Sequence, residues 1–527
     1  MARGWRPFAG GAAAVLLAGL VFASLTDGAG RAPPVTTAGS PDGVASSLSA
    51  AAADTGSPSP SAASPSPSPE ERTPEPSKRS GDDFWTFEVG RDPRWESFSP
   101  SISADGRFIT FESASDDLVP DDRGDYEEIF VRDGLNGRTT LVSKSSAGRQ
   151  GNDHSGASVI SGDGRFITFV SGASNLVPAD RNGVLDVFVH DRRRGTTDRV
   201  SVSSAGEEAN ARSGGPDISD DGRWIVFSSD ATNLVPDDTN GVRDVFLHDR
   251  HSGSTTLVSA TADGTQSDRG SNNPSVSPEG RWVAFTSEAT SLDAHAGDGN
   301  CVPAPAKVDK QDCEDVFLWN RRTAEITAVS VSEDGGASNG PSERSDVSTD
   351  GRYVAFYSSA SDLAPGDANR DGWDVYVRDI VEGETRLVTR SATGDDQPRL
   401  SIAITPDGRF IAFISGAGDL LRADSNACEV GYGGEEPDVE PCPDGFLYDR
   451  EAGRLHLVSR AHDGEQADDR SFSAAISASG RYVTFDSAAT NLVSGRRQRC
   501  FEWRNCPDVF VRDRTRGHTA MVSHARP

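Results

Sequence analysis

The stretch DANRDGWDVYVRD, residues 367–379, places side-chain oxygens at alternate positions just before a run that reads as a β-strand. Asp367, Asn369, Asp371 and Gly372 have the spacing of an oxygen-rich calcium loop, and Asp374 follows closely. Calcium takes about six to eight oxygen ligands. Short acidic side chains two residues apart can converge on one point, and a glycine permits the sharp turn. The glutamate that would complete an EF-hand is absent. Thinner copies occur at Asp238, Asn240, Gly241 and Asp244, and at Asp180, Asn182, Gly183 and Asp186; another position keeps Asp122, Asp125 and Glu128. The expected cofactor is Ca2+. A metal-free reading stands beside it, because Asn and Asp also close Asx-turns and cap the start of a strand.

Other groups that could do chemistry point elsewhere. Six cysteines fall in three close pairs, Cys301 with Cys313, Cys428 with Cys442, and Cys500 with Cys506. Each pair lies in one connecting loop, so three local disulfides are expected, each worth about 2–3 kcal/mol by chain entropy. Zinc is disfavoured because no CxxC spacing occurs. Gly336–Gly340, GASNG, fits a nucleophile elbow only if it joins a strand to a helix, and the repeat described below puts it in a strand-to-strand crossover. There is no HExxH. His190 and His248 align with Arg132, Arg378 and Arg512, and are expected at the surface. Ser97, Ser155, Ser213, Ser271, Ser342 and Ser471 recur in register and are expected near a channel mouth.

The elements that position these residues form a repeat. Asp-Gly-Arg, with two altered copies, has its glycine at 106, 164, 222, 280, 351, 408 and 480. An aromatic residue stands two places after each glycine and a phenylalanine five places after. This period indicates a solenoid or propeller. In the third copy, PDIS, RWIVFSS, DVFLHDR and STTLVS read as four strands joined by Asp-Gly and Gly-containing turns. The second of these strands is apolar on both faces and so covered on both sides. No sustained helical period is present. The fold class is all-β: a seven-bladed β-propeller of four-stranded antiparallel blades, whose radial closure removes exposed sheet edges. The short turns fall on one face of the ring; the second-to-third loops and the crossovers, which are longer, fall on the other.

The motifs SDDGRWIVFSS…DVFLHDR…TTLVS and TPDGRFIAFIS…GFLYDREAGRLHLVS resemble the TolB-like β-propeller repeat, the PD40 or WD40-like type, over roughly 430 residues. The resemblance implies the fold more than a function. The N-terminal α/β domain of TolB has no counterpart here, and the TolB propeller typically has six blades. The Asp-x-Asn-Gly-x-x-Asp loops also resemble those of integrin-type propellers, although Pro178 and Pro236 occupy the first ligand position.

Arg3 and Arg6 precede an uncharged run from Pro7 to Leu25, the pattern of a signal peptide or signal-anchor over residues 1–31. Residues 32–83 are rich in Pro, Ser and Ala and read as a disordered linker; the propeller spans 84–527. The segment 84–97 is expected to lead into the first blade and close the ring. A formal charge of −29 argues against nucleic acid as a partner. These features predict a secreted or cell-surface, extracytoplasmic monomer, touching the membrane only through an uncleaved N-terminal segment. The expected role is a non-catalytic scaffold binding a cell-envelope protein or glycan through its long-loop face, with Trp373, Tyr432 and Trp503 as contact candidates. The alternative is a propeller enzyme, a lyase or glycoside hydrolase, using carboxylates at the channel mouth.

Overall fold

The computed structural model describes residues 96–524, apart from 121, 123–125, 293–313, 370–371, 392–400, 422–425, 431–437, 495–498 and 502–503. The N-terminal segment, the linker and residues 84–95 lie outside the described residues. Seven four-stranded antiparallel sheets follow one another along the chain, over 97–141, 155–199, 213–257, 271–328, 342–387, 402–457 and 471–521. They are the blades of one propeller ring, numbered here in chain order. Within each blade the strands lie side by side in sequence order. First strands touch first strands of neighbouring blades, so they surround the axis.

Blade 3 shows why the repeat folds this way. Its strands are Ser213–Ile218, Trp224–Ser229, Asp244–Asp249 and Ser254–Leu257. Ile225, Val226 and Phe227 are all fully buried, because the second strand has a neighbouring blade on each side. Phe227 stacks on Phe246 across the sheet, with ring centroids 5.9 Å apart. Equivalent stacked pairs occur in the other blades, with Tyr376 replacing phenylalanine in blade 5.

The Asp-Gly-Arg motif locks one blade to the next. Gly222 has φ +70°, and a Cβ there would lie 2.0 Å from Phe166 of blade 2, so only glycine fits. The Phe166 ring lies against two guanidinium groups, Arg165 of its own blade at 4.5 Å and Arg250 of blade 3 at 4.1 Å. Arg250 also donates to the Gly222 carbonyl at 2.6 Å. Arg165 is held by a two-point contact with Asp191. Arg–Asp clamps of this kind recur in blades 1, 3, 5, 6 and 7. In blade 4 the acid is replaced by Asn320.

Backbone bonds complete the ring. The first residue of each of six first strands donates to a carbonyl just before the preceding blade's third strand, as Ser213 does to Leu185 at 2.8 Å. Ser97 makes this bond to Pro507 at 2.9 Å, and Ala478 donates to Ala104 at 3.0 Å, so blade 7 meets blade 1.

Candidate functional site

The loops before the third strands share one element. Each third strand begins with an acid, and a Ser or Thr fifteen residues on accepts the N–H of the residue after it. Where the acid is aspartate, that hydroxyl also donates to its carboxylate. The second carboxylate oxygen is treated differently in each blade. In blade 2 the Arg199 guanidinium fills the space among Asp180, Asp186 and Glu208, at 3.5, 3.0 and 2.8 Å. Asn182 donates to Asp186 at 2.8 Å, and its own oxygen accepts from Val184 in an Asx-turn. In blade 6 Gln466 donates to Asp444 at 2.8 Å.

Blade 5 makes a dense local network. Asp367 accepts from the Asn369 backbone at 3.1 Å and from the Tyr376 hydroxyl at 3.2 Å; Asn369 donates to Asp374 at 2.8 Å. Burial, then Asp367, pushes the Tyr376 hydroxyl well above the usual tyrosine range. Asp371 lies outside the described residues. In blade 3 Asn240 donates to the Ser267 carbonyl at 3.1 Å, while both oxygens of Asp238 and Oδ2 of Asp244 are buried without a hydrogen-bond partner. In blade 1 Gln150 donates to Asp122 at 2.8 Å, and burial pushes the neighbouring Glu128 carboxyl up to about 8. Asp125 is outside the described residues. Among those residues, no group of three or more His, Cys, Asp or Glu side chains gathers as a metal set.

Cys428 and Cys442 form a disulfide, closing a hairpin of strands Ala427–Val430 and Asp438–Pro441. Cys506 is also disulfide-bonded. Cys301, Cys313 and the side chain of Cys500 lie outside the described residues, as do Tyr432 and Trp503. Trp373 is half-buried against the core between blades 5 and 6.

Two minor expectations change, and the one for GASNG holds. The recurrent serines do not line the channel: Ser97, Ser155, Ser213, Ser271, Ser342 and Ser471 are buried, each paired with a serine of the adjoining second strand. His190 and His248 are buried rather than surface residues. Each bonds a threonine of the fourth strand, and burial lowers each to about 4. Ser338 of GASNG sits in a buried turn between strands, 3.2 Å from the Gly340 carbonyl, with no elbow.

The feature missed in the sequence is a set of buried or partly buried carboxyl groups in and beside the first strands that surround the axis. Glu112, in a second strand, accepts from the Ala157 N–H at 2.8 Å. Burial pushes its carboxyl up to about 8, with Glu127 and Asp486 adding repulsion. Asp486 holds the same place in blade 7 and rises to about 7 by burial. Glu314 and Glu343 form a close pair between blades 4 and 5. Burial, then the neighbouring Glu343, raises Glu314 to about 8, leaving it as the proton-bearing partner. Asp217 and Asp346, in first strands, keep partial access to solvent. Each accepts the backbone N–H of the next blade's first strand, from Val276 at 2.7 Å and Ile404 at 2.8 Å. Burial raises both, to about 7 and about 6. The sequence signal was available: Glu112 and Asp486 stand where other copies have Val170, Ser228, Thr286, Tyr357 and Ile414. Glu112 and Glu314 lie at the strand ends nearest the long loops, on the long-loop face.

No family model matches the sequence, and no curated protein matches it. Solved structures do. Oligogalacturonate lyase from Vibrio parahaemolyticus is 13% identical over 80% of this chain and 89% of its own, with a TM-score of 0.44. TolB from Acinetobacter baumannii is 12% identical over 81% of this chain and 79% of its own, with a TM-score of 0.35. The β-propeller domain of the Trilobed protease from Pyrococcus furiosus is 11% identical over 82% of this chain and 99% of its own, with a TM-score of 0.46. The likeness is one of fold.

Proposed function

We propose that the chain is an extracytoplasmic, non-catalytic binding scaffold that engages a cell-envelope protein or glycan through its long-loop face. The observation that carries this reading is the contrast between the two faces. The short-turn face spends its charges internally, in Arg–Asp clamps and Arg–aromatic stacks. The long-loop face carries the disulfide-bonded hairpin of blade 6 and the Glu112 and Glu314 carboxyls. Loops held by a rigid scaffold are where binding surfaces are built. The net charge of −29 favours a ligand that presents cationic groups, such as a basic protein segment or an amino-bearing glycan. The Cys428–Cys442 disulfide supports placement in an oxidising compartment.

The test is binding of fractionated envelope material to the immobilised full chain. Glu96→Lys with Glu127→Lys reverses charge on the long-loop face, just before the first and third strands of blade 1, and Glu382→Lys with Glu451→Lys does so on the opposite face, in the third-to-fourth turns of blades 5 and 6. The first pair is expected to abolish capture and the second to preserve it. Equal capture by both would remove the face assignment.

One observation favours a second reading, a lyase or glycoside hydrolase: burial raises the Glu314, Glu112 and Asp486 carboxyls towards neutrality, as general acid–base chemistry requires, and Glu314 has a second carboxyl, Glu343, beside it. Release of reducing or unsaturated ends from envelope polysaccharides, lost in Glu314→Gln, would establish it over the scaffold reading.

A further inference from the structure

Blades 2 and 3 act as controls for each other, and blade 3 departs from blade 2 in one respect. Residues 58 positions apart in blades 2 and 3 correspond: Asp180 to Asp238, Asn182 to Asn240, Asp186 to Asp244. The cation that blade 2 places among its acids, Arg199, corresponds to Leu257, and Glu208 corresponds to Gln266. Blade 3 therefore keeps both aspartates and has lost the guanidinium.

Its remaining polar groups do not compensate. Asp244 is fully buried, and its Oδ1 accepts from Ser259 at 2.5 Å and Ser267 at 2.9 Å. Its Oδ2 has no hydrogen-bond partner, and neither has either oxygen of Asp238. Asn240 donates to the Ser267 carbonyl, and its oxygen accepts from Val242; its amide lies near enough to Asp244 to favour the charged carboxylate without making a full hydrogen bond to Oδ2. Gln266, the counterpart of the Gln466 that satisfies Asp444 in blade 6, instead donates to the Asp237 carbonyl and accepts from Thr239. Asp244 lies near enough for the two carboxylates to repel each other. Unpaired buried carboxylate oxygens are costly, and two facing ones call for a positive charge.

We propose that blade 3 binds a divalent calcium ion between Asp238 and Asp244, in the place that the Arg199 guanidinium takes in blade 2. The donors are oxygens only, which suits a hard cation and disfavours zinc or copper. Two carboxylates supply up to four oxygens, and water can complete a calcium shell, whose geometry is tolerant. The site joins the loop at 238 to the start of the third strand at 244, beside the turn that carries Ser267. It would act there as the arginine does in blade 2, as a staple. This inference stands apart from the proposed binding function, which does not depend on it.

The test is calorimetric titration of the metal-stripped full chain with calcium chloride, together with its melting temperature in calcium and in chelator. Leu257→Arg rebuilds the blade 2 arrangement, and Asp238→Asn removes a carboxylate. Each is expected to bind one calcium fewer than the parent. Leu257→Arg is also expected to lose the calcium-dependent rise in melting temperature while remaining folded. In the reverse direction, Arg199→Leu with Glu208→Gln is expected to gain one bound ion. Absence of calcium binding by the parent chain would overturn the proposal, and so would an unchanged stoichiometry in Leu257→Arg. The arginine variant keeps the test decisive if Asp238→Asn does not fold.

Discussion

At the scale of single residues, the repeat motif is explained by contacts it makes in the next blade. Gly222 must be glycine twice over, for its φ of +70° and for the Phe166 ring against it. Gly222→Ala is expected to cost about 2–4 kcal/mol, from backbone strain and displacement of a packed ring; equilibrium denaturation would check it, and a loss below 1 kcal/mol would contradict the lock. Glu112 makes a pH prediction. Its folded value of about 8 lies above its ordinary 4.5. Its stabilising contribution is therefore fully present below pH 4.5 and lost as pH rises through 8. Glu112→Gln keeps an oxygen for the Ala157 N–H but carries no charge. The variant should match the parent near pH 4 and exceed it at pH 9, by on the order of 1–3 kcal/mol. The buried His190 and His248 act in the opposite sense, losing stability as pH falls from about 6.5 towards 4. Comparing variant with parent at each pH cancels their contribution.

At the scale of elements, most of the blade was legible and the site was not. Asp-Gly turns, alternating apolar runs and a fixed period specify four strands, because those signals are local. Cys428 and Cys442 were legible for the same reason: a pair inside one loop leaves little choice of partner. The buried carboxyls were not read, since Glu112 and Asp486 become neighbours only when blade 7 meets blade 1. Arg199 was overlooked as a filler of the blade 2 loop because it comes from a strand thirteen residues beyond Asp186. His190 and His248 were misplaced because alignment with arginines suggested exposure, whereas Arg132 itself is buried. The blade 6 hairpin yields its own prediction. Its disulfide closes a loop with a sequence separation of 14, worth about 3 kcal/mol by chain entropy. That hairpin is an appendage joined to the blade through Asn426, which bonds Gln466 and Ala467. Replacing both cysteines by serine should raise amide exchange across 427–441 strongly, yet lower the global melting midpoint only slightly. A large global drop would show that the hairpin is part of the core.

At the scale of the whole molecule, the junctions between blades are alike but not equal. Arg192, Arg250, Arg321, Arg450 and Arg514 each cover an aromatic ring of the preceding blade. Blade 5 has Ile380 at that position, packed near Trp282. Blade 1 has Gly134, so nothing from that position covers Tyr482 of blade 7. Gly134→Arg should therefore stack on Tyr482, bond the Gly106 carbonyl, and stabilise the ring by about 0.5–2 kcal/mol. Chemical denaturation would reveal it; no gain would mean that the junction between blades 7 and 1 is already as strong as the rest.

The glycine at position 134 has a topological consequence. The backbone discontinuity of the propeller coincides with a junction that lacks the arginine at position 134, so thermal opening should start there and spread as an unzipping of blades 1 and 7. A circular permutant that links residue 524 to residue 96 and places new termini between 257 and 271 would separate the two weaknesses. Its denaturation should be steeper than that of the parent, since the break would then fall where Arg321 still clasps Trp224.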